Sequence, residues 1–214
     1  MSQPNNGEGF LGLQSLQSGG SEFNAQMFLI QSVLSKISTV TLVQVKAVTN
    51  NGGVEPVGFV DILPLVNQID GAGNAVQHGT IYKCPYFRLQ GGTDAIILDP
   101  KVGDIGIALF ADRDISSVTA NRSQANPGSR RRFDMSDGLY LGGVLNGVPA
   151  QYVRFTADGI VILSPSKVTI QAPSIFLDGN VTSSGTFTNN GTNISSTHVH
   201  GGITPGGSNT DTPS

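Results

Sequence analysis

The segment Ser196-Thr197-His198-Val199-His200-Gly201-Gly202 holds two of the three histidines in this 214-residue chain, one residue apart and far from most of its charge. In an extended strand, neighbouring side chains point to opposite faces, so His198 and His200 project together and Val199 away from them. Imidazole is a common ligand for first-row metal ions. Two imidazoles are too few to enclose one, but three chains meeting here would bring six nitrogens to a point. That octahedral set suits Fe²⁺, Co²⁺ or Ni²⁺, whereas Zn²⁺ usually takes four ligands and Mg²⁺ or Ca²⁺ takes oxygen. With no coordination position left open, such a site ties chains together and activates nothing. A hydrolytic His-x-His-x-Asp arrangement would need a carboxylate at position 202, which is Gly202. Gly201-Gly202 lets the backbone reverse sharply, and the polar segment that follows can cover the ion. Taken alone, the pair is equally a chance juxtaposition, so the case for a metal rests on what positions it.

What must position it is the stretch from Phe155 to Ser214. Its charged residues are Asp158, Lys167, Asp178 and Asp211, while Ser and Thr number nineteen. It reads as short alternating units (VRFTADG, IVILSPS, KVTIQAPS, IFLDG, NVTSSG, TFTNNG, TNISSTHVH), each with one to three apolar side chains near period two and then a turn. Units this short cannot bury their own apolar stripe. Several chains wound together can, with Ile160, Ile162, Val168, Ile170, Ile175, Leu177, Val181, Phe187 and Ile194 as the inward candidates. A disordered Ser/Thr/Gly tail would account for the composition but not for the alternation of branched apolar residues. The expectation is an intertwined oligomeric β-prism or β-helix over residues 149–214.

Upstream, residues 1–38 read as a flexible Gly/Ser/Gln/Asn arm followed by a short helix. Ser21 is its cap, and Met27, Ile30, Val33, Leu34 and Ile37 form one face. From Thr39 the period becomes two, with a phase slip at Leu42-Val43 that predicts a bulge. Further strands are expected over 58–65, 79–89, 95–98 and 105–111, each bounded by Gly, Pro, Asn or Asp. Short strands with a helix at the edge suggest a small closed barrel of the OB kind over residues 39–117, and a split β-sandwich fits nearly as well. Residues 118–148 are polar, contain Arg130-Arg131-Arg132 and read as a solvated connecting segment.

Composition excludes several functions. The formal net charge is −3, so no basic field points to nucleic acid or an anionic membrane. No aromatic platform accompanies the arginine run. The single cysteine, Cys84, lies in an apolar run and reads as a buried structural thiol. No signal peptide or membrane-length apolar run is present, so the chain is expected to be made soluble in a cytoplasm. Neither Gly-x-Ser-x-Gly nor a phosphate loop occurs, and His78 reads as a loop residue, so an enzyme is not expected.

Three segments carry a resemblance to a known family. PKVGDIGIALFADRDIS (Pro100 to Ser116) is similar to a Pro-x-x-Gly-Asp strand ending in an Asp-Arg-Asp turn. SRRRFDMSDGLYLGGVL (Ser129 to Leu145) is similar to a basic-then-Ser-Asp exit segment, and THVHGGITPGGSNTDTP (Thr197 to Pro213) to a spike apex. Together they resemble the central spike proteins of contractile-tailed bacteriophages, also called baseplate assembly protein V or membrane-piercing tail spikes. The likeness runs from about Ile37 onward. It implies an all-β protein, an N-terminal OB-fold barrel followed by a trimeric β-helical spike. It also implies one iron ion per homotrimer, held by His198 and His200 of each chain. The partners implied are the tail hub protein of the baseplate and the host outer membrane, and the location is the baseplate tip of the virion. The arm and helix match the family poorly, and Phe10-Leu11-Gly12-Leu13 is a candidate docking element.

Overall fold

Ser21 starts the first regular element: its hydroxyl accepts from the Asn24 N–H at 3.1 Å and caps helix α1 (Glu22–Leu34). The computed structural model describes residues 13–15, 17–196, 198 and 206. Phe10-Leu11-Gly12 therefore lies outside the described residues. No residue of α1 is buried, and apart from Ala25 and Phe28 its apolar side chains are exposed. Among the described residues no helix is long and apolar enough to cross a membrane.

The chain divides into two compact units between Pro149 and Ala150. In the first, α1 leads into β1 (Val40–Val48), β2 (Phe59–Pro64), β3 (Gln68–Ile69), β4 (Ala75–Val76), β5 (Ile81–Pro85), β6 (Leu89–Gly91), β7 (Asp94–Ile96) and β8 (Ile105–Phe110). Helix α2 (Ser116–Asn121), a 3₁₀ turn (Met135–Asp137) and β9 (Gly138–Gly143) follow. The principal sheet is antiparallel, in the order β5-β2-β1-β8-β9. It curls until its edges meet: Tyr86, just past β5, bridges Tyr140 of β9 in parallel, and the Phe87 N–H donates to the Tyr140 carbonyl at 2.7 Å.

Period-two patterning explains which face is inside. In β2 and β8 every second residue is buried, and Val43, Val45, Val60, Ile62, Ala108 and Phe110 form the centre of the core with Cys84 and the two tyrosines. Full burial of each Val or Ile contributes about 1.5–3 kcal/mol. Burial also pushes the Cys84 thiol up to about 12, which leaves it protonated and inert. β8 is opened by the Pro100-Lys101-Val102-Gly103-Asp104 turn, in which the Lys101 N–H donates to the Asp104 carboxylate at 2.8 Å and Gly103 takes φ +98°.

Three details differ from the sequence reading. The bulge in β1 falls between Val45 and Ala47, not at Leu42-Val43, because Val43 and Val45 are both fully buried while Leu42 turns to the other face. The expected strand 79–89 is shortened to Ile81–Pro85. Lys83 sits at φ +57°, its N–H taken by the Asp61 carboxylate at 2.9 Å. Residues 138–143, read as part of a connector, instead form edge strand β9 and bury Tyr140.

The second unit contains two hairpins, β10 (Tyr152–Thr156) with β11 (Gly159–Leu163) and β12 (Thr188–Asn189) with β13 (Thr192–Asn193). Between them, residues 164–187 form no strand, and from 165 to 192 every residue is exposed. The chain is thus mostly β, with a curled antiparallel sheet in its first unit. Among the described residues no β-helix is seen.

Candidate functional site

In the second unit, pairing in β10–β11 sets Val153 opposite Ile162 and Phe155 opposite Ile160, so these four side chains share one face of the hairpin. No described residue covers that face: Phe155 is 75% exposed and Ile160 64%. The other face carries Tyr152, Arg154, Val161 and Leu163, with the Arg154 guanidinium 5.6 Å from the Tyr152 ring centre. A two-stranded hairpin is marginal in water without a partner surface. Further along, Leu177, Val181, Phe187 and Ile194 line an open groove of about 720 Å³. The expected inward residues Val168, Ile170 and Ile175 are also exposed. No described residue of this unit is buried.

The second hairpin leads toward the histidine pair. Its turn is Asn190-Gly191, with φ +49° and +80°, the two left-handed positions of a tight hairpin whose twist matches the strands. A further hydrogen bond, Ile194 N–H to the Phe187 carbonyl at 2.8 Å, extends the pairing beyond the strands. The Asn193 carboxamide oxygen then accepts from both the N–H and the hydroxyl of Ser195, at 2.9 and 2.6 Å. The Ser195 carbonyl accepts from the His198 N–H at 3.0 Å and from its ring Nδ1 at 2.6 Å.

A carbonyl can only accept, so Nδ1 donates the proton in this contact. An imidazole oriented by a backbone carbonyl through one nitrogen is a common arrangement among metal-ligating histidines. His198 therefore fits a ligand role, and the turn Asn193–Ser195 is what aims it. His200, the other expected ligand, lies outside the described residues. Among the described residues no group of three or more His, Cys, Asp or Glu side chains gathers as an ion site. One chain brings this site a single described imidazole.

The first unit holds two ion-pair clusters that the sequence reading did not foresee. Asp99 accepts from Tyr86 Oη at 2.7 Å, Arg88 Nη2 at 2.6 Å and the Gly52 N–H at 3.0 Å, while Arg88 Nη1 donates to the Glu55 carbonyl at 2.6 Å. Burial pushes Asp99 up, but the hydrogen bonds from Tyr86, Arg88 and Gly52 outweigh it and hold its carboxyl below the ordinary range. This group pins the loop after β1 to the strand region after β5.

The second cluster turns Arg131 inward. Its Nη2 lies 3.0 Å from Asp114 and 3.1 Å from Asp137, and its Nε donates to the other Asp137 oxygen at 3.2 Å. Both carboxylates are buried. Hydrogen bonds from Ser116 and Ser129, with the Arg131 charge behind them, hold Asp114 down at about 2. The arginine run is therefore not a uniformly solvated face: its middle member latches the 122–133 loop to the sheet. Acidic residues on both sides of the run, in Asp112-Arg113-Asp114 and Ser136-Asp137, were the available signal. No family model matches the chain, and no curated protein matches it.

Proposed function

We propose that this chain is the central spike of a phage contractile tail, a non-enzymatic structural protein that works as a homotrimer. It sits at the baseplate tip beneath the tail hub protein, and sheath contraction drives it through the host outer membrane. Residues 39 to about 148 are the OB-fold collar. In support, the strand order β5-β2-β1-β8-β9, with the β5 end returning to β9 through one parallel bridge, is that of a five-stranded Greek-key barrel. Residues 149–214 are one third of an interwound β-helical spike.

A single observation carries the reading: a unit rich in alternating branched and aromatic residues buries none of its described side chains. Such a sequence has a hydrophobic driving force that burial among the described residues does not satisfy. Copies related by a three-fold axis offer one another the same faces, and interwinding makes the product resistant to loss of a subunit. Few charges lower the cost of contact with lipid.

His198 and His200 of each chain would hold the apical iron ion. Such an ion would cross-link three chain ends where axial load is greatest, and the chain's own part is to orient the His198 ring through the Ser195 carbonyl. The test is a native mass together with metal analysis of purified protein. Three chains with one iron per three chains is the expected result. A monomer in the micromolar range overturns the spike reading, and a metal-free trimer with an ordered tip overturns the role of the histidines. A trimer that binds cell-surface glycan without penetrating a bilayer would reassign it to a receptor-binding fibre.

A further inference from the structure

Helix α1 is a bare apolar element on a unit that otherwise has its own core. Phe23, Met27, Ile30, Leu34 and Ile37 follow one another at steps of four, three, four and three, the alternation that keeps one seam facing a partner helix. The hydrogen bonds Lys36 N–H to Val33 and Ile37 N–H to Leu34 carry the spiral past the end of α1, so Ile37 completes that line. All five are exposed, from 40% at Ile37 to 68% at Phe23. The residues that are partly covered, Asn24, Ala25, Phe28 and Ser32, lie off the seam.

We propose that α1 packs against the α1 helices of two further copies, forming a parallel three-helix bundle ahead of the collar. This rests on the trimer proposed above and adds a second interface to it, in a part of the chain that the family resemblance does not reach. Size, charge and tether point to copies of the chain as the occupants. The seam exposes roughly 500 Å² of apolar surface, the size of the largest patch on a typical monomer, which is often a functional one. Three such faces total roughly 1,500 Å², roughly 500 Å² for each helix pair, so the bundle adds to the interface proposed above and does not stand alone. From Phe23 to Ser35 the helix has no charged residue, so identical helices meet without repulsion, and there is no charge pattern by which a different protein would be selected. Only residues 35–39 separate α1 from β1, and the Ser38 N–H is anchored on the Phe133 carbonyl at 2.9 Å. Chains joined elsewhere along their length would thus hold their α1 helices at high local concentration.

The experiment uses the full-length chain with Ile30→Cys, oxidised by copper-phenanthroline and read on a non-reducing gel beside its native mass. Cys84 is buried and inert, so only the introduced thiol reacts. Ser35→Cys is the control, because position 35 lies roughly 140° around the helix from position 30. In a three-helix bundle one disulfide joins two chains and leaves the third without a mate. Covalent dimer should therefore plateau near two chains in three, and form at least tenfold faster than with Ser35→Cys. A native mass of three chains with equal rates for the two variants overturns the bundle and leaves the trimer standing. A mass of one or two chains overturns the trimer and the bundle with it.

Discussion

Replacing Ile162 by Ala distinguishes an apolar residue that is simply exposed from one that waits for a partner. The substitution removes three carbons, about 2.4 kcal/mol of transfer free energy at about 0.8 kcal/mol per buried CH₂. Ile162 is 59% exposed in the single chain, so the share gained only on association is about 1.4 kcal/mol per chain. Three chains lose about 4 kcal/mol, or roughly a thousandfold in the trimerisation constant. Since two further chains must join the first, the midpoint concentration for assembly should rise by the square root, roughly thirtyfold. Sedimentation equilibrium across a dilution series, with denaturant added to bring dissociation into range, reads that shift. Val54→Ala is the control, because Val54 is 96% exposed on the first unit and belongs to none of the faces assigned to the interface. If Ile162→Ala moves the midpoint no further than Val54→Ala, the apolar face of β10–β11 is ordinary surface and the interwound reading fails.

Three other outcomes are expected. Ile62→Ala, at a fully buried position of the core, should lower the stability of the first unit by about 2–5 kcal/mol, seen as a fall in the guanidinium midpoint of its near-ultraviolet signal. His198→Ala combined with His200→Ala should abolish iron retention while leaving the trimer mass and the first unit's melting unchanged, and bound iron in that variant would place the ion elsewhere. Asp114 has a folded pKa depressed from 3.8 to about 2, so its contribution to stability is complete above 3.8 and is lost as pH falls from there toward 2. Acid titration should accordingly release the 122–133 loop to protease in that window, and Asp114→Asn should make cleavage in that loop insensitive to pH across it.

The legible parts of the sequence were those where one face of an element meets a core within the same chain. β1 and β2 carry branched residues at period two and bury Val43, Val45, Val60 and Ile62, whereas β8 keeps the period but buries Gly106, Ala108 and Phe110 and leaves its branched residues half-buried. Ser21 was readable because a cap acts within four residues of itself. β9 was not legible: Gly138-Leu139-Tyr140-Leu141-Gly142-Gly143 has few β-formers, and what makes it a strand is tertiary. Gly106 across the sheet leaves no room for a Cβ against Tyr140 and the Gly142 carbonyl, so the small residue on one strand is what admits the ring on the next. The shift of the β1 bulge has a similar origin, since alternation cannot say which of two adjacent apolar residues the core will choose. Arg131 looked solvated because its carboxylate partners lie 17 residues before it and six after, a pairing that only the fold creates. At the tip, the spacing of His198 and His200 was visible at once, and the turn that aims His198 was not.

The unequal division of burial between the two units also sets an order of events in synthesis. Residues up to Pro149 emerge first and close a core without help, whereas the residues after Ala150 gain almost nothing by collapsing alone. If the second unit winds with two further copies as proposed, its assembly is a reaction between molecules whose rate depends on their concentration. Slow synthesis should favour loss to proteases or chaperones, and chains leaving neighbouring ribosomes on one message should favour assembly.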